Sequence, residues 1–345
     1  QKTAYEITYG DWSSDVCSSD LGDAENRAIW DKIIELSRQE FEKTYRRLGV
    51  TFDHTLGESF YNPQLPGIVA ELRQRGIAVE SEGAICIFVA GSEAPLLIQK
   101  ADGAFLYGTT DLATLKYRLD QWQPNEIIYV TDARQKQHFQ LVFAAGQKWY
   151  PALPDLRHVY FGSILGEDGK PLKTRSGENV KLGELLDEAE ERALKVVTEK
   201  NPELPEDVRR QIARAVGLGA VKYADLSQNR TTDYVFSWDK MLAMTGNTAP
   251  YMQYAYVRVQ SIFRKSGAAA LVSSAEAVTL EHPAELDLAK QILRFAETLE
   301  AVLADDKPNW LTGYLYDLAG KFSVFYDSCP VLQAPEPTRS SRLAL

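Results

Sequence analysis

The stretch NEIIYVTDARQKQHFQLVFAAGQKWY, residues 125–150, decides the fold class. Its first part, NEIIYVTDA, has the pattern of a buried β-strand, and the following RQKQHFQLVFAAGQKWY is predicted to be a helix. A buried strand followed directly by a helix is the repeating unit of α/β folds, in which helices cover a mostly parallel sheet. The stretch therefore predicts an α/β fold for this part of the chain.

The segments around this stretch continue the alternation of helices and strands. Helices are predicted over Ala24–Leu48 and over Pro66–Arg75, where Gly76 ends the helix. Short apolar runs bounded by Gly, Pro and Asp predict strands. The remaining predictions are a strand and loop at 49–61, strands at 83–89, 95–100, 104–108 and 157–165, and a helix at 109–122. This order favours a mostly parallel sheet.

The pattern changes after residue 181, where helical periodicity takes over. The predicted helices span 182–199, 205–224, 236–244, 248–265, 283–304 and 309–327. TRSSRLAL at 338–345 has the pattern of the start of another helix, and 267–278 reads as a loose connection. The second half is therefore predicted to be a helical bundle, with the boundary between residues 180 and 235.

The composition is that of an ordinary globular protein. The chain has 345 residues, 45% of them apolar and 25% charged, and a formal net charge of −10. Its apolar runs are far shorter than the roughly 20 residues that cross a membrane. Three widely spaced cysteines predict a reducing compartment, the cytoplasm. Four scattered histidines without a Cys-x-x-Cys pair argue against a structural zinc site, so no residue is predicted as a metal ligand. The acidic balance argues against indiscriminate nucleic-acid binding.

A basic loop, GKPLKTRSGENVKL at 169–182, contrasts with this acidic background. The loop follows a predicted strand and precedes a predicted helix, which is where α/β sheets usually bind ligands. Its glycines allow close approach of the backbone to a ligand. Side chains that can donate to phosphate oxygens are Lys170, Lys173, Thr174, Arg175 and Ser176. The loop is thus a candidate phosphate site, and a solvated basic hairpin is the alternative.

Tyr107 and Asp111 form a second candidate site. Their spacing of four residues places them close together on a helix. A carboxylate beside a phenol suits a cationic ligand, and a guanidinium accepts two parallel hydrogen bonds from a carboxylate. The alternative is that Asp111 or Thr110 simply caps the helix.

Polar residues follow the strand in YVTDARQKQHFQ, at 129–140. Asp132 ends the strand, and Gln135 and His138 lie on the helix that follows, where side chains reach ligands in α/β folds. Gln135 could hydrogen-bond an amino acid. Asp132 could instead cap the helix, and His138 could be an ordinary helix-surface residue.

Aromatic and cationic residues alternate in the helical half. Aromatic faces stack on unpaired bases and cations contact phosphates, which is how single-stranded RNA loops are bound. Ordinary helix packing is the alternative. The residues that we single out as RNA contacts are Asn229, Arg230, Tyr251, Tyr254, Arg258 and Arg264.

Five stretches, in this order along the chain, resemble the arginyl-tRNA synthetase family, which belongs to the class I aminoacyl-tRNA synthetases. They are YGTTDLA, YVTDARQKQHFQ, KTRSGENVKL, VKYADLSQNRTTDYVFSWDKML and GNTAPYMQYAYVR. The resemblance covers residues 22–345. It implies an α/β fold with a partial Rossmann-type parallel sheet in the catalytic domain, followed by an all-α helical-bundle anticodon-binding domain.

The resemblance also implies roles for the candidate residues. Tyr107, Asp111 and Gln135 would bind arginine. KTRS, from Lys173 to Ser176, would occupy the place of the KMSKS loop and contact ATP, with Thr174 and His138 also on the ATP side. Catalytic roles would fall to Lys170, Lys173, Arg175 and Ser176. The implied reaction is ATP-dependent arginylation of tRNA(Arg), with Mg2+ accompanying ATP and the protein acting as a monomer.

The implied domains are a catalytic domain at 22–180, a helical connecting region at 181–235 and an anticodon-binding domain at 236–345. EITYGDWSSDVCSSDL at 6–21 repeats Ser-Ser-Asp without a helical or strand period, so we expect 1–21 to be a non-native or disordered segment.

The chain departs from the family in lacking a His-x-Gly-His sequence. We therefore expect an incomplete fragment that is inactive by itself and that lacks the family's N-terminal domain and last C-terminal helix. The alternative is a non-catalytic RNA-binding protein derived from a synthetase.

Overall fold

The computed structural model describes residues 24–166, 168–170, 181–267 and 278–345. It divides the chain into two compact units, Gln1–Phe161 and Gly162–Leu345. The segment 1–21, most of the basic loop and most of the predicted loose connection lie outside the described residues.

The described part of the first unit contains both helices and short strands. Its helices are α1 (Ala24–Leu48), α2 (Leu65–Gln74), α3 (Tyr107–Trp122) and α4 (Lys136–Trp149), with 3-10 helices at Glu58–Gln64 and Ala133–Gln135. Its strands are β1 (Val79–Ser81), β2 (Ala84–Ile87), β3 (Leu96–Gln99), β4 (Glu126–Asp132) and β5 (Asp155–Phe161). The predictions for α1, α2, α3, α4 and β4 are confirmed, and Gly76 adopts the positive φ of +68° that ends α2.

Strands β4 and β5 form the parallel pair that the sequence predicts. Glu126 pairs with Asp155 and the register runs without interruption to Asp132 and Phe161. Helix α4 connects the two strands and buries Val142, Ala145 and Trp149 in the core. This strand–helix–strand unit places the residues that follow Asp132 at the carboxyl end of the sheet.

Strands β1 to β3 differ from the predicted parallel arrangement because they form an antiparallel sheet. Glu82 and Gly83 connect β1 and β2, both with positive φ, as in a two-residue hairpin. Connections this short cannot support parallel pairing, which needs about a dozen residues. The strand predicted at 104–108 is also wrong in part. Phe105 makes an isolated bridge to Gln99, and α3 begins at Tyr107.

The start of α3 lies close to β3. A Cβ atom added at Gly108 would lie 2.9 Å from the carbonyl oxygen of Leu97, so only glycine allows this approach. The buried hydroxyl of Thr109 donates a hydrogen bond to the carbonyl oxygen of Ile98. Leu112 and Leu115 on the same helix are fully buried. These contacts fix the first turns of α3, on which Tyr107 and Asp111 lie.

The second unit is mostly helical in its described part. Its elements are β6 (Ile164–Leu165), α5 (Leu182–Lys200), α6 (Glu206–Leu226), β7 (Tyr234–Val235), α7 (Trp238–Met241), α8 (Ala249–Ser266), α9 (Pro283–Leu293), α10 (Phe295–Asp305), α11 (Asn309–Ser328) and α12 (Thr338–Ala344). A core formed by Ala284, Leu288, Phe322, Phe325 and Cys329 joins α9 and α11. The helical character predicted for this half is confirmed.

Two predicted helices of the second unit need correction. The helix predicted at 236–244 is reduced to α7, because Phe236 still donates a backbone hydrogen bond to Leu165 next to the parallel pair β6–β7. The helix predicted at 283–304 is interrupted at Arg294 and forms α9 and α10. No helix within the described residues combines the length and the apolar character that a membrane crossing requires.

Candidate functional site

The structure joins two of the predicted site residues directly. Asp111 lies one turn into α3, whose N-cap is Leu106, so Asp111 and Thr110 do not cap this helix. His138 lies in the first turn of α4. Its Nε2 atom is 2.6 Å from Oδ2 of Asp111, and the two side chains are 29% and 26% exposed. This contact brings the two candidate stretches 107–113 and 129–140 into one site.

A second carboxylate, Glu58, faces this pair from the 3-10 helix at Glu58–Gln64. Desolvation, with a further contribution from the negative charge of Asp111, raises the pKa of Glu58 above its ordinary value. A cation bound beside Glu58 and Asp111 would offset the repulsion between the two carboxylates. The sequence gives no signal for Glu58, since a single glutamate in a predicted strand and loop has no spacing that links it to Asp111.

Tyr129 lies on β4 in the same region. Its side chain is buried, and burial raises its pKa to about 12, with a smaller contribution from Asp111. The guanidinium carbon of Arg118 lies 5.0 Å from the centre of the Tyr129 ring. The ring of Phe139 packs against those of Tyr129 and Phe143. The phenol therefore stays neutral at physiological pH beside the carboxylates.

The other residues predicted to bind arginine lie at neighbouring helix starts. Tyr107 is the first residue of α3 and is 49% exposed. Gln135 is the N-cap of α4 and is exposed, three residues before His138 on the same helix start. Asp132 has a structural role, because it accepts a hydrogen bond from the backbone N–H of Arg134 at 2.8 Å and caps the 3-10 helix. Hydrogen bonds from the Arg134 side chain and backbone lower the pKa of Asp132.

Lys170 is the predicted phosphate contact of the basic loop that the structure describes. It is exposed, and its carbonyl oxygen accepts a hydrogen bond from the N–H of Gly166 at 2.7 Å. Gly169 has φ of +71°, so glycine is used here for a turn, as predicted. The predicted phosphate contacts Lys173, Thr174, Arg175 and Ser176 lie outside the described residues.

An aromatic and cationic cluster forms on the second unit between α8 and α11. The guanidinium carbon of Arg258 lies 3.9 Å from the centre of the Tyr326 ring and 5.4 Å from that of Tyr254. Arg258 also forms an ion pair of 3.2 Å with Asp327. Tyr254 is 51% exposed. This arrangement offers open aromatic faces next to a fixed cation.

The remaining predicted RNA contacts do not join this cluster directly. Arg230 donates hydrogen bonds to the carbonyl oxygens of Asp305 and Asp306 at the end of α10, a typical use of arginine at a helix C-terminus. The side-chain oxygen of Asn229 accepts hydrogen bonds from Thr231. Tyr251 packs against Tyr316 with ring centres 5.8 Å apart, and Arg264 is exposed in the last turn of α8.

Across the described residues, no group of three or more His, Cys, Asp or Glu side chains lies together in a way that could hold a metal ion. The candidate site in the first unit brings together carboxylate, imidazole and phenol groups. A carboxylate can pair with a cationic group through charge-assisted hydrogen bonds.

Two family matches cover almost the whole chain. Residues 9–238 match the family described as tRNA synthetases class I (R), catalytic domain, and residues 252–345 match the DALR anticodon binding domain. Together with the strand–helix–strand unit and the helical bundle, these matches define a class I tRNA synthetase. The chain belongs to the arginyl-tRNA synthetase family, since the catalytic match is to the arginine group and spans more than half of the chain.

Individual relatives agree with this assignment. The arginine–tRNA ligase of Escherichia fergusonii is 50% identical over 335 residues, which are 94% of this chain and 58% of that protein. The arginine–tRNA ligase of Synechococcus elongatus is 50% identical over 337 residues, 94% of this chain and 57% of that protein. The chain thus spans somewhat more than half the length of the curated relatives that it matches.

Solved structures with the same fold include two arginyl-tRNA synthetases. The Plasmodium falciparum structure has a TM-score of 0.84 at 33% identity and covers 98% of this chain and 58% of that chain. The Thermus thermophilus structure has a TM-score of 0.75 at 26% identity and covers 94% and 64%. The predicted fold class, an α/β catalytic domain followed by a helical anticodon-binding domain, is confirmed.

Proposed function

We propose that the protein to which this chain belongs is an arginine–tRNA ligase, and that Asp111 binds the guanidinium of arginine. The observation that carries the proposal is the acidic site around Asp111, Glu58 and Tyr107 on the catalytic unit. A partly buried carboxylate left unpaired by an uncharged competitor loses a charge-assisted contact, so a site of this kind would favour arginine. Gln135, at the start of α4, is positioned to hydrogen-bond the amino-acid end of the ligand.

The proposed reaction has two steps. A carboxylate oxygen of arginine attacks the α-phosphate of ATP, the bond to the β-phosphate breaks, and pyrophosphate leaves. A terminal ribose hydroxyl of tRNA then attacks the arginyl carbonyl carbon, losing its proton as AMP leaves. Positioning and phosphate charge stabilisation would carry this chemistry. Lys170, Lys173, Arg175 and Ser176 would supply the stabilising charges and donors, Thr174 a further ATP contact, and magnesium would accompany the ATP phosphates.

Arginine binding can be tested with citrulline as the matched ligand, because citrulline has the shape of arginine without its charge. Calorimetry of the chain with both ligands should show arginine binding about a hundredfold more tightly. Asp111→Asn should remove most of this preference, whereas Asp120→Asn on the exposed side of α3 should retain it. Equal affinities for arginine and citrulline in the folded chain would exclude the proposed clamp.

We further propose that the cluster around Arg258 contacts unpaired bases of tRNA. The exposed faces of Tyr254 and Tyr326 support this role, and the match to an anticodon-binding domain agrees with it. Because base stacking contributes about 1–3 kcal/mol per base, Tyr254→Ala should weaken tRNA binding about tenfold. Tyr256→Ala, on the same helix and 64% exposed, is the matched control.

The tRNA measurements need a panel of tRNAs at fixed and then at rising salt, because phosphate contacts make binding steeply salt-dependent. A preference for arginine tRNA that persists as salt rises would support base contacts by the second unit. Equal, salt-sensitive binding of every tRNA would contradict them.

A further inference from the structure

The hydrogen bond between His138 and Asp111 restrains the carboxylate from one side. Among the described residues, His138 is the hydrogen-bond partner of the Asp111 side chain, with its Nε2 atom 2.6 Å from Oδ2. A carboxylate can accept about four hydrogen bonds, so the second oxygen, Oδ1, keeps its capacity for another donor. The geometry assigns the two oxygens of Asp111 to different tasks.

The elements that carry the two residues are themselves fixed. Gly108 and Thr109 hold the start of α3 against β3, and the buried residues of α4 hold His138 from the opposite side. Asp111 and His138 are 27 residues apart in sequence, so their contact depends on this packing. A carboxylate held between rigid elements has little rotational freedom left to lose when a ligand binds.

The surrounding charges make such a restraint necessary. Glu58 faces Asp111 with the same charge, and repulsion would turn an unrestrained carboxylate away from it. Arg118 lies against the face of the Tyr129 ring. The contact with His138 at Oδ2 holds the Asp111 carboxylate in place despite this repulsion.

We propose that His138 is a positioning residue for substrate selection, which donates its Nε2–H to Asp111 and thereby directs Oδ1 to the guanidinium of the bound amino acid. This inference rests on the proposed arginine clamp. It gives His138 a task on the amino-acid side of the site, distinct from the ATP contact that the family resemblance predicts for this residue.

Arginine binding to His138 variants tests the proposal. His138→Ala should bind arginine about tenfold more weakly, because the carboxylate loses its restraint. His138→Gln places an amide N–H near the position of the imidazole Nε2 and should restore affinity to within about threefold of the unmodified chain. Gln137→Ala, the exposed neighbour on α4, should have no effect. Citrulline affinity should change little in any of these variants.

The tautomer of His138 is a second, independent readout. Long-range 15N correlation spectra of the chain should show His138 protonated at Nε2, with the signal assigned from its absence in His138→Gln. Asp111→Ala should shift this signal, whereas Asp120→Asn should not. A His138 ring protonated at Nδ1 alone would overturn the inference, because Nε2 could then not donate.

The outcomes separate the inference from the function on which it rests. Suppose that the chain binds arginine, that Asp111→Asn loses this affinity and that His138→Ala retains it. The inference about His138 is then wrong, and the proposed arginine clamp stands. Loss of affinity in His138→Ala without rescue by glutamine would also overturn the inference, since the loss would come from packing or from direct ligand contact. If the folded chain does not distinguish arginine from citrulline, the clamp and the inference both fail.

Discussion

Two carboxylates, one in each unit, show how differently an acidic side chain can be used. Asp111 in the first unit is 26% exposed, and its Oδ2 lies 2.6 Å from Nε2 of His138. Glu285 in the second unit is 2% exposed. Its Oε2 accepts hydrogen bonds from the backbone N–H groups of Glu281 and His282, and its Oε1 accepts one from Arg342 at 2.6 Å.

Glu285 and Asp111 differ in the number of their hydrogen-bond partners among the described residues. Glu285 completes a capping box at the start of α9 and joins this helix to α12 through Arg342, so its hydrogen-bonding capacity is largely used within the fold. Within the described ranges, Asp111 has His138 as its hydrogen-bond partner, and its charge acts on a second carboxylate, Glu58. A carboxylate whose hydrogen bonds are all made inside the protein stabilises the fold. A carboxylate that keeps hydrogen-bonding capacity beside a second carboxylate can bind a cation.

The largest expected difference between Glu285 and Asp111 is in how much their replacement destabilises the fold. Glu285→Ala would leave the Arg342 guanidinium and two backbone N–H groups without their acceptor, which costs about 3 kcal/mol for a buried pair. Hydrogen exchange of the α9 amides, followed by mass spectrometry, should accelerate about a hundredfold. Glu300→Ala on the exposed side of α10 is the control. An unchanged exchange rate in Glu285→Ala would mean that this carboxylate does not anchor α9.

The next effect concerns the ligand. Glu58→Gln removes the second negative charge of the site and should weaken arginine binding about tenfold, or about 1.4 kcal/mol. Gln64→Ala, at the end of the same 3-10 helix, should bind as the unmodified chain does. Calorimetry gives both values, and an unaltered affinity in Glu58→Gln would show that Asp111 acts without this neighbour.

Acid should affect the two units in opposite directions. Burial alone would raise the pKa of Glu285, but hydrogen bonds from His282, Arg342 and Glu281 hold it below its ordinary value. Its stabilisation is therefore complete above the unfolded pKa of about 4.3 and is lost as the pH falls through the lower folded value. Glu58 has a raised pKa, so protonation on moving from pH 7 towards 4.3 favours the folded first unit.

Hydrogen exchange from pH 7 to pH 3, corrected for intrinsic rates, measures this contrast. Protection of α9 should fall by about tenfold below pH 4.3, and α3 should gain protection before that point. In Glu285→Gln the loss of α9 protection at low pH should disappear. Parallel losses in both units would contradict the opposite roles assigned to the two carboxylates.

The smallest effect is expected for Asp111→Asn on the free energy of unfolding. Asp111→Asn loses a bond to His138 but also loses the repulsion with Glu58, so the free energy of unfolding should change by no more than about 0.5 kcal/mol. Urea denaturation followed by tryptophan fluorescence provides the measurement. A loss above about 1.5 kcal/mol would place Asp111 with Glu285 as a residue of the fold.

Local patterns account for the elements that were predicted well. Helices α1, α3 and α11 follow from apolar residues at helical spacing, and β4 follows from an uninterrupted apolar run before a helix. The antiparallel pairing of β1 to β3 was missed, because the short strands carry no signal for their partners. The hairpin residues Glu82 and Gly83 were the available clue, since a two-residue turn excludes parallel pairing.

The residues of the candidate site also fall into those that a local pattern indicates and those that only the fold brings together. Tyr107, Asp111 and Gln135 were predicted as arginine contacts because they lie in stretches with a recognisable pattern at helix starts. Glu58 was missed, because its relation to Asp111 exists only across the folded unit. Arg230 was predicted as an RNA contact from its aromatic and cationic neighbours, and this stays a prediction. In the structure its guanidinium donates hydrogen bonds to carbonyl oxygens at the end of α10.

The sequence by itself determined the fold class, the helical nature of the second half and the family, and it predicted the residues of the candidate site. These properties depend on residue types and on spacings of a few residues, which the chain carries locally. Only the tertiary structure decided that His138 contacts Asp111, that Glu58 joins them, and that Glu285 is satisfied by Arg342. Such contacts join elements that are distant along the chain, and the packing of buried side chains selects them.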